Sequence, residues 1–168
     1  MPFTIYDAAI PPMIRSLENL SKIMDKAVAQ AKAEDKPLSS LLEARLAPDM
    51  HPFTRQIQIA SDAAKGAAAR LSGVEAPAMA DTETTFPELQ QRIARTIAFL
   101  KSVSANKVVG AEDREIVMKF PQGEMKFTGR DFLTGFALPN FFFHVTTAYD
   151  LLRHKGITIG KMDFLGGV

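Results

Sequence analysis

The stretch MIRSLENLSKIMDKAVAQA, residues 13–31, decides the fold. Its apolar side chains recur at spacings of three and four, at Met13, Leu17, Leu20, Met24, Ala27 and Ala31. This period places them on one face of an α-helix, so it predicts a long amphipathic helix that packs against other helices. Thr4 and Asp7 form a capping-box pattern at which the helix can begin. Pro11 and Pro12 should kink or restart it because they lack a backbone donor, and it should end before Pro37.

Two further stretches have the same helical period. The second main helix should start within residues 49–52, with Asp49 as a cap and Pro52 in the first turn, and should stop at Gly73. Its stripe contains Phe53, Ile57, Ala60, Ala64, Ala67 and Leu71. A capping box at Thr85 and Glu88 opens the third helix, whose stripe is Leu89, Ile93, Ile97 and Leu100. We expect surface connections elsewhere, apart from one or two helical turns after Leu38.

The period changes to two at residues 116–127, where Ile116, Met118 and Phe120 precede a Pro-Gln-Gly turn and Met125 and Phe127 follow it. This alternation predicts a β-hairpin. An isolated hairpin is only marginally stable in water, so its Ile/Met/Phe face should pack on the helices.

The last helix should begin at a third capping box, Thr128 with Asp131, kink at Pro139, and end at Gly156. We expect residues 157–168 to pack down as extended chain, with Gly166-Gly167 free. The predicted fold class is mainly α: an antiparallel four-helix bundle with a β-hairpin inserted between helices 3 and 4, in one domain spanning residues 1–168.

Composition narrows the classes of function. The chain has 168 residues, 46% of them hydrophobic, which is enough for one core without disulfides. The absence of cysteine excludes thiolate metal clusters and cysteine nucleophiles, and it fits a cytoplasmic protein. A net charge of +1 argues against nucleic acid as a partner, and the lack of a signal peptide or a long apolar run argues against the membrane.

Asn140 and His144 are the most promising polar pair. They lie one turn apart on the last helix, on the same stripe as Phe136, Thr147 and Leu151. An amide oxygen and an imidazole nitrogen at this spacing can bind one ion or one substrate. Alternatively, His144 is a buried histidine that hydrogen-bonds a side chain across the bundle, and Asn140 bonds nearby backbone.

Three other residues are weaker candidates. Gln56 flanks the alanine-rich stripe of the second helix and should point inward. Tyr149 is a plausible polar neighbour of the site, although a tyrosine at such a position more often serves packing or the surface. His51 precedes Pro52 and reaches the bundle axis only if the chain is not yet helical there. His154 lies in the last turn beside Arg153 and Lys155, where it can stabilise the helix dipole. Phosphate-loop, zincin, nucleophile-elbow and paired di-iron motifs are absent from the sequence.

The run Phe141-Phe142-Phe143 covers most of the circumference of one helical turn. Part of it must therefore contact something other than the core of this bundle. A subunit interface, or the packed hairpin, would satisfy it, and we expect a homodimer.

Several segments together resemble the bacterial domain-of-unknown-function family 1993. They are residues 42–49, RQIQIASD at 55–62, Lys65-Gly66, NFFFH at 140–144, LLRH at 151–154 and GKMDFL at 160–165. That family is grouped with the DinB-like, or YfiT-like, four-helix bundles. The resemblance implies this fold, often dimeric, with a divalent metal held by three histidines in the better-known members. Relatives there include thiol-dependent transferases and isomerases that use bacillithiol or mycothiol.

The same resemblance implies which positions would hold the metal. The superfamily takes one histidine from the second helix and a His-x-x-x-His pair from the fourth. This pair falls on Asn140 and His144, so one histidine is replaced by asparagine, and His51 is the nearby candidate for the other ligand. Two imidazoles and an amide oxygen form a weak site for zinc or nickel.

Two functional hypotheses follow. In the first, which we favour slightly, a dimer binds a small ligand in a polar bundle cavity through Gln56, Asn140, His144 and Tyr149, without a full metal site. In the second, a divalent-metal-dependent enzyme, of the thiol-dependent transferase or isomerase type or a hydrolase, uses His144, Asn140 and His51. A purely structural dimer is a third alternative, but it explains no polar residue on the axis.

Overall fold

A computed structural model describes residues 2–167 of the chain. Its helices are α1 (Ile5–Ala33), α2 (Ser39–Leu42), α3 (Phe53–Ser72), α4 (Phe86–Ser102), α5 (Gly129–Asp131), α6 (Leu138–His154) and α7 (Lys161–Leu165). Two 3₁₀ turns, Ala105–Val108 and Ala111–Asp113, lead into an antiparallel hairpin of β1 (Glu115–Phe120) and β2 (Gly123–Thr128). The long helices α1, α3, α4 and α6 pack as a four-helix bundle with the hairpin ahead of the last one. The predicted fold class is confirmed.

Helix α1 begins with the predicted capping box. The Asp7 N–H donates to the Thr4 hydroxyl (3.3 Å), and the Asp7 carboxylate accepts from the Thr4 N–H (2.9 Å). Of the two outcomes predicted at Pro11 and Pro12, a kink or a restart, the restart does not occur, since both prolines lie inside a single element. The two prolines are consecutive, so the donors they remove belong to one turn, and the buried apolar face on either side holds that turn in place.

The start of α3 differs from the predicted one. Pro52 is extended and lies just before the first helical residue, and no side chain caps this end. The cap predicted at Asp49 was therefore wrong. The preceding loop supplies a partner instead, because the N–H of Phe53 donates to the carbonyl of Ala44 (3.0 Å). The predicted stop at Gly73 (φ 73°) and the capping box at Thr85 and Glu88 are confirmed.

The hairpin packs on the bundle through most of the predicted Ile/Met/Phe face, although Met125 of that face is 50% exposed. Ile116 is buried, and Met118 and Phe127 are half-buried against the core. The ring of Phe136 lies 6.0 Å from that of Phe120 and 6.1 Å from that of Phe127. This aromatic contact fixes the hairpin against the chain that leads into α6.

That chain is π-helical over Phe132–Ala137. The N–H of Leu138 donates to the carbonyl of Leu133, five residues back, so the irregularity precedes Pro139 and Pro139 itself lies in the first turn of α6. Proline is tolerated there because first-turn amides lack helical partners anyway. The departure from regular α-helix that the sequence places at Pro139 therefore lies in the π-helical segment just before it. The third capping box forms only in half: the Asp131 N–H bonds the Thr128 hydroxyl (3.2 Å), which in turn donates to the Asp131 carboxylate (2.9 Å).

The C-terminal segment is not extended over its whole length. Its residues Lys161–Leu165 form α7, and the side-chain amide of Asn19 in α1 donates to the carbonyl of Phe164 (3.1 Å). Gly166 (φ 81°) packs so closely on Asn19 that a Cβ there would lie 2.3 Å from the Asn19 amide. The expectation of a free Gly166 was therefore wrong, because the buried Asn19 needs the Phe164 carbonyl as a partner and Gly166 packs against Asn19.

No helix within residues 2–167 is both long and apolar enough to cross a lipid bilayer.

Candidate functional site

His144 and Gln56 form a buried polar pair between α6 and α3. The Nδ1 atom of His144 lies 2.6 Å from Oε1 of Gln56, and Gln56 Nε2 donates to the backbone carbonyl of His51 (3.0 Å). Because the Gln56 nitrogen faces a carbonyl, its oxygen must face His144 and accept a hydrogen bond. The proton of a neutral His144 is therefore on Nδ1, which leaves a lone pair on Nε2.

The imidazole of His144 is held in its neutral form. Burial lowers its pKa below the ordinary value of 6.5, and the charges of His51 and Arg55 lower it further. Nε2 has no hydrogen-bond partner within residues 2–167. It is nevertheless accessible to solvent, because the buried side-chain atoms there that lack a partner are Ser61 Oγ and Arg92 Nε. A neutral imidazole nitrogen is therefore available to a ligand hydrogen or to a cation.

The alanine stripe of α3 allows α6 to approach and so makes this contact possible. Ala60, Ala64 and Ala67 are fully buried on the face of α3 that packs against α6. Gln56 begins the same face, one turn before Ala60, and is only 1% exposed. A small-residue face leaves room for two polar side chains to meet between the helices without a cavity.

Asn140 lies one turn before His144 but opens into a groove. The groove has a volume of about 210 Å³ and lies between α3, the π-helical segment and the hairpin. Its lining is mostly apolar, with three polar side chains, those of Asp62, Arg70 and Asn140. The groove thus reaches, through Asn140, the face of α6 that bears His144, although neither His144 nor Gln56 is part of its lining.

The remaining candidates lie elsewhere. The ring of Tyr149 packs edge-on against Phe164 (5.8 Å between centroids), which directs it toward α7. His51 is exposed in the loop before α3, where its backbone meets Gln56, and His154 is exposed in the last turn of α6. The structure brings together Gln56, His144 and the carbonyl of His51, with Asn140 in the adjoining groove.

The superfamily implies a metal centre of three histidines, which can be tested against the donor atoms present here. Within residues 2–167 no group of three or more His, Asp or Glu side chains is positioned to share an ion. Position 140 supplies an amide oxygen, which is a poorer zinc ligand than imidazole. These residues do not fit a three-histidine centre.

Sequence reasoning missed a second polar cluster around Arg92 of α4. Its side chain is 1% exposed and forms ion pairs with Asp62 (2.8 Å), Asp81 (2.9 Å) and Glu83 (3.0 Å). Asp81 and Glu83 lie in the connection between α3 and α4, so the cluster fixes that connection over the helices. The sequence held one signal for this burial, because Arg92 lies three residues after Leu89 of the apolar stripe and so faces nearly the same way.

The charges of this cluster support one another. Burial opposes the charge of Arg92, but its hydrogen bond to Glu83 and the charges of Asp62, Glu83 and Asp81 outweigh burial and raise the pKa of Arg92. Burial likewise raises the pKa of Glu83, but hydrogen bonds from Arg92 and Gln58 hold it below its usual value. Arg55 pairs with Asp81 and Lys65 with Asp62 (2.9 Å).

Comparison with known proteins agrees with this architecture. A crystal structure of a DinB family member protein from Shewanella denitrificans superposes with a TM-score of 0.93 at 41% sequence identity, covering 98% of this chain and 93% of that one. No curated protein matches the chain. The family described as "Domain of unknown function (DUF1993)" matches residues 5–165. With its four-helix bundle, hairpin and buried histidine, this chain belongs to that family, within the DinB-like fold.

Proposed function

We propose that this protein binds a small molecule at the groove beside Asn140 and the buried His144, as a homodimer and without a complete metal site of its own. A groove with mostly apolar walls and a few convergent polar groups is the usual form of a small-molecule site. The polar groups here come from two helices, and one of them, Asn140, lies one helical turn from an imidazole whose tautomer is fixed.

The proposal rests mainly on the hydrogen bonds by which Gln56 joins the His51 carbonyl to the His144 imidazole. This arrangement uses one nitrogen of the imidazole and leaves the other open in a neutral, partly desolvated setting. A buried histidine that served packing alone would also need an acceptor for its N–H, so the feature that supports binding is the second nitrogen left open. Preorganised acceptors of this kind lower the entropy that a ligand loses on binding.

The dimer rests on the aromatic run of α6. Phe141 is fully buried in the core, but Phe143 is 55% exposed. An exposed phenylalanine next to the proposed site is typical of an interface. Sedimentation or light scattering should find a dimer that Phe143→Ser weakens; a monomer at all concentrations contradicts this part of the proposal.

A fragment screen monitored by NMR tests ligand binding. We expect some fragments to shift the side-chain amide of Asn140 and the imidazole nitrogens of His144 together, and His144→Ala to abolish the response. Asn106→Ala, in an exposed turn remote in sequence, is the matched control and should not change it. If no fragment perturbs Asn140 or His144, the proposal fails.

A second candidate is the divalent-metal-dependent enzyme that uses His144, Asn140 and His51. One feature favours it: histidine ligands commonly donate their second ring N–H to a neighbouring oxygen, as His144 does to Gln56. Metal analysis of protein purified without a histidine tag separates the two proposals. Stoichiometric zinc or nickel that His144→Ala removes supports the enzyme, and protein free of metal excludes it.

A further inference from the structure

The groove contains one cation whose charge nothing nearby balances. Arg70 of α3 lines it, and within residues 2–167 no carboxylate lies within ion-pair distance of its guanidinium. Its contacts are the carbonyl of Gly66 (3.0 Å from Nη1) and the face of the Phe132 ring (6.0 Å from centroid to Cζ).

The acid of the groove does not offset this charge. Asp62 already pairs with Lys65 (2.9 Å) and with the buried Arg92 (2.8 Å). The network to which it belongs contains three acids, Asp62, Asp81 and Glu83, and three bases, Arg55, Lys65 and Arg92, and is neutral as a whole. The field inside the groove is therefore set by Arg70.

Local geometry holds the guanidinium at the groove. A Cβ at position 66 would lie 2.6 Å from Nη1 of Arg70, so the glycine lets the side chain lie along α3 beneath Phe132. Cation–π contact with the ring orients the planar guanidinium, which binds oxyanions through paired N–H groups. Asn140 adds an amide donor at the same groove.

The rest of the lining is apolar and aromatic. Met118 of the hairpin, Phe132 and Phe136 of the π-helical segment, and Ala63 and Ala67 of α3 provide the walls. π-helical segments recur at functional sites, and this one contributes both rings. A ligand that matches these walls has an apolar body and a single anionic end.

We infer that the groove binds an amphipathic monoanion, with its carboxylate on Arg70 and Asn140 and its apolar body against Met118, Phe132 and Phe136. This inference rests on the proposed function and specifies its ligand class. An aryl or short alkyl carboxylic acid meets the description.

Three probes that share a phenyl ring and a two-carbon chain, but differ in the charge of the terminal group, test the inference. They are phenylacetate, phenethyl alcohol and phenethylamine, titrated by NMR and calorimetry. We expect phenylacetate to bind about tenfold more tightly than the alcohol, since a charge-assisted hydrogen bond is added, and the amine to bind most weakly. Arg70→Gln should remove the preference for the acid. Arg95→Gln, at an exposed arginine of α4, should keep it.

Each contrary outcome has a distinct meaning. Equal affinity for all three probes, with shifts at Asn140, overturns the anion preference but leaves the groove as the binding site. A preference for phenylacetate that survives in Arg70→Gln overturns the role of Arg70. Failure of every probe to bind overturns the inference, whereas the fragment screen at His144 and Asn140 still decides the proposed function. Dispersed NMR spectra of each variant establish that it is folded.

Discussion

Two polar clusters with buried centres contact α3, and they satisfy their buried polar atoms in different ways. The Arg92 cluster, comprising Arg92, Asp62, Asp81 and Glu83, is charged and joins α3, α4 and their connection. The His144 pair, comprising His144 and Gln56, is neutral and joins α3 to α6. Almost every donor of Arg92 has a partner, with Nε the exception, whereas His144 leaves Nε2 open toward solvent.

This difference suggests a structural role for the Arg92 cluster and a binding role for the His144 pair. A buried charge is tolerated only when partners surround it, so the Arg92 cluster has little left to offer a ligand. A neutral imidazole with one nitrogen engaged can stay partly buried and still accept another group. Stability should therefore be concentrated in the Arg92 cluster, and ligand response in the His144 pair and its groove.

The largest effect is expected from Arg92→Ala. It removes the buried cation that Asp62, Asp81 and Glu83 share, leaving Glu83 without an ion-pair partner within residues 2–167, and it frees the connection between α3 and α4. The free energy of unfolding should therefore fall by about 3 kcal/mol. Urea denaturation measures the change. Arg95→Ala, one turn along α4 at an exposed arginine, is the matched control and should alter stability by less than about 0.5 kcal/mol. Similar losses in both variants would remove the structural role of the cluster.

Gln56→Leu should have an intermediate effect. It keeps the volume of the side chain but leaves the Nδ1–H of His144 and the carbonyl of His51 without partners, at a cost of about 1–2 kcal/mol. Ligand affinity should fall as well because the tautomer is no longer fixed. The exposed Gln91→Leu is the control for denaturation and titration. An unchanged ligand response in Gln56→Leu would show that the orientation of His144 is irrelevant to binding.

A smaller effect should appear as a slope of stability against pH. The pKa of His144 is lowered in the folded state, so the unfolded chain binds a proton first as the pH falls below about 6.5. Stability from this residue is complete above that pH and declines below it. Denaturation between about pH 7.5 and pH 5 measures the slope, above the range where Asp81 and Glu83 titrate. His144→Gln should flatten it, and an unchanged slope would mean that other groups cause it.

Asn140→Ala should change stability least, by less than about 0.5 kcal/mol, because its half-buried amide faces the groove and makes no hydrogen bond to another side chain or carbonyl within residues 2–167. Phenylacetate binding should nevertheless weaken in this variant. Thermal denaturation with and without the ligand compares the two effects. A variant that is clearly destabilised but binds normally would assign Asn140 to structure instead.

The bundle could be predicted because its determinants are local. The capping boxes at Thr4 and Thr85 and the stop at Gly73 are short motifs with one geometric solution, and the change of period at Ile116 identifies the hairpin. These features follow from neighbours in sequence, so no tertiary information was needed.

The parts that could not be predicted depend on contacts distant in sequence. Arg92 is buried because Asp81 and Glu83 fold back over it, and the helix α7 forms where Asn19 of α1 offers a hydrogen bond to Phe164. The π-helical register before Leu138 likewise depends on packing against the hairpin rings. For the site, the inward position of Gln56 and a partner for His144 across the bundle were anticipated, but the groove with Arg70 was not.

The central claim is that His144 is a neutral imidazole with its proton on Nδ1 and its Nε2 open. Long-range nitrogen-proton NMR of the histidine rings, at about pH 7, tests it most directly, because the two nitrogens of each neutral tautomer have distinct chemical shifts. We predict a protonated Nδ1 and a bare Nε2 for His144, and loss of that pattern in Gln56→Leu. A proton on Nε2, or an imidazolium at this pH, would contradict the account.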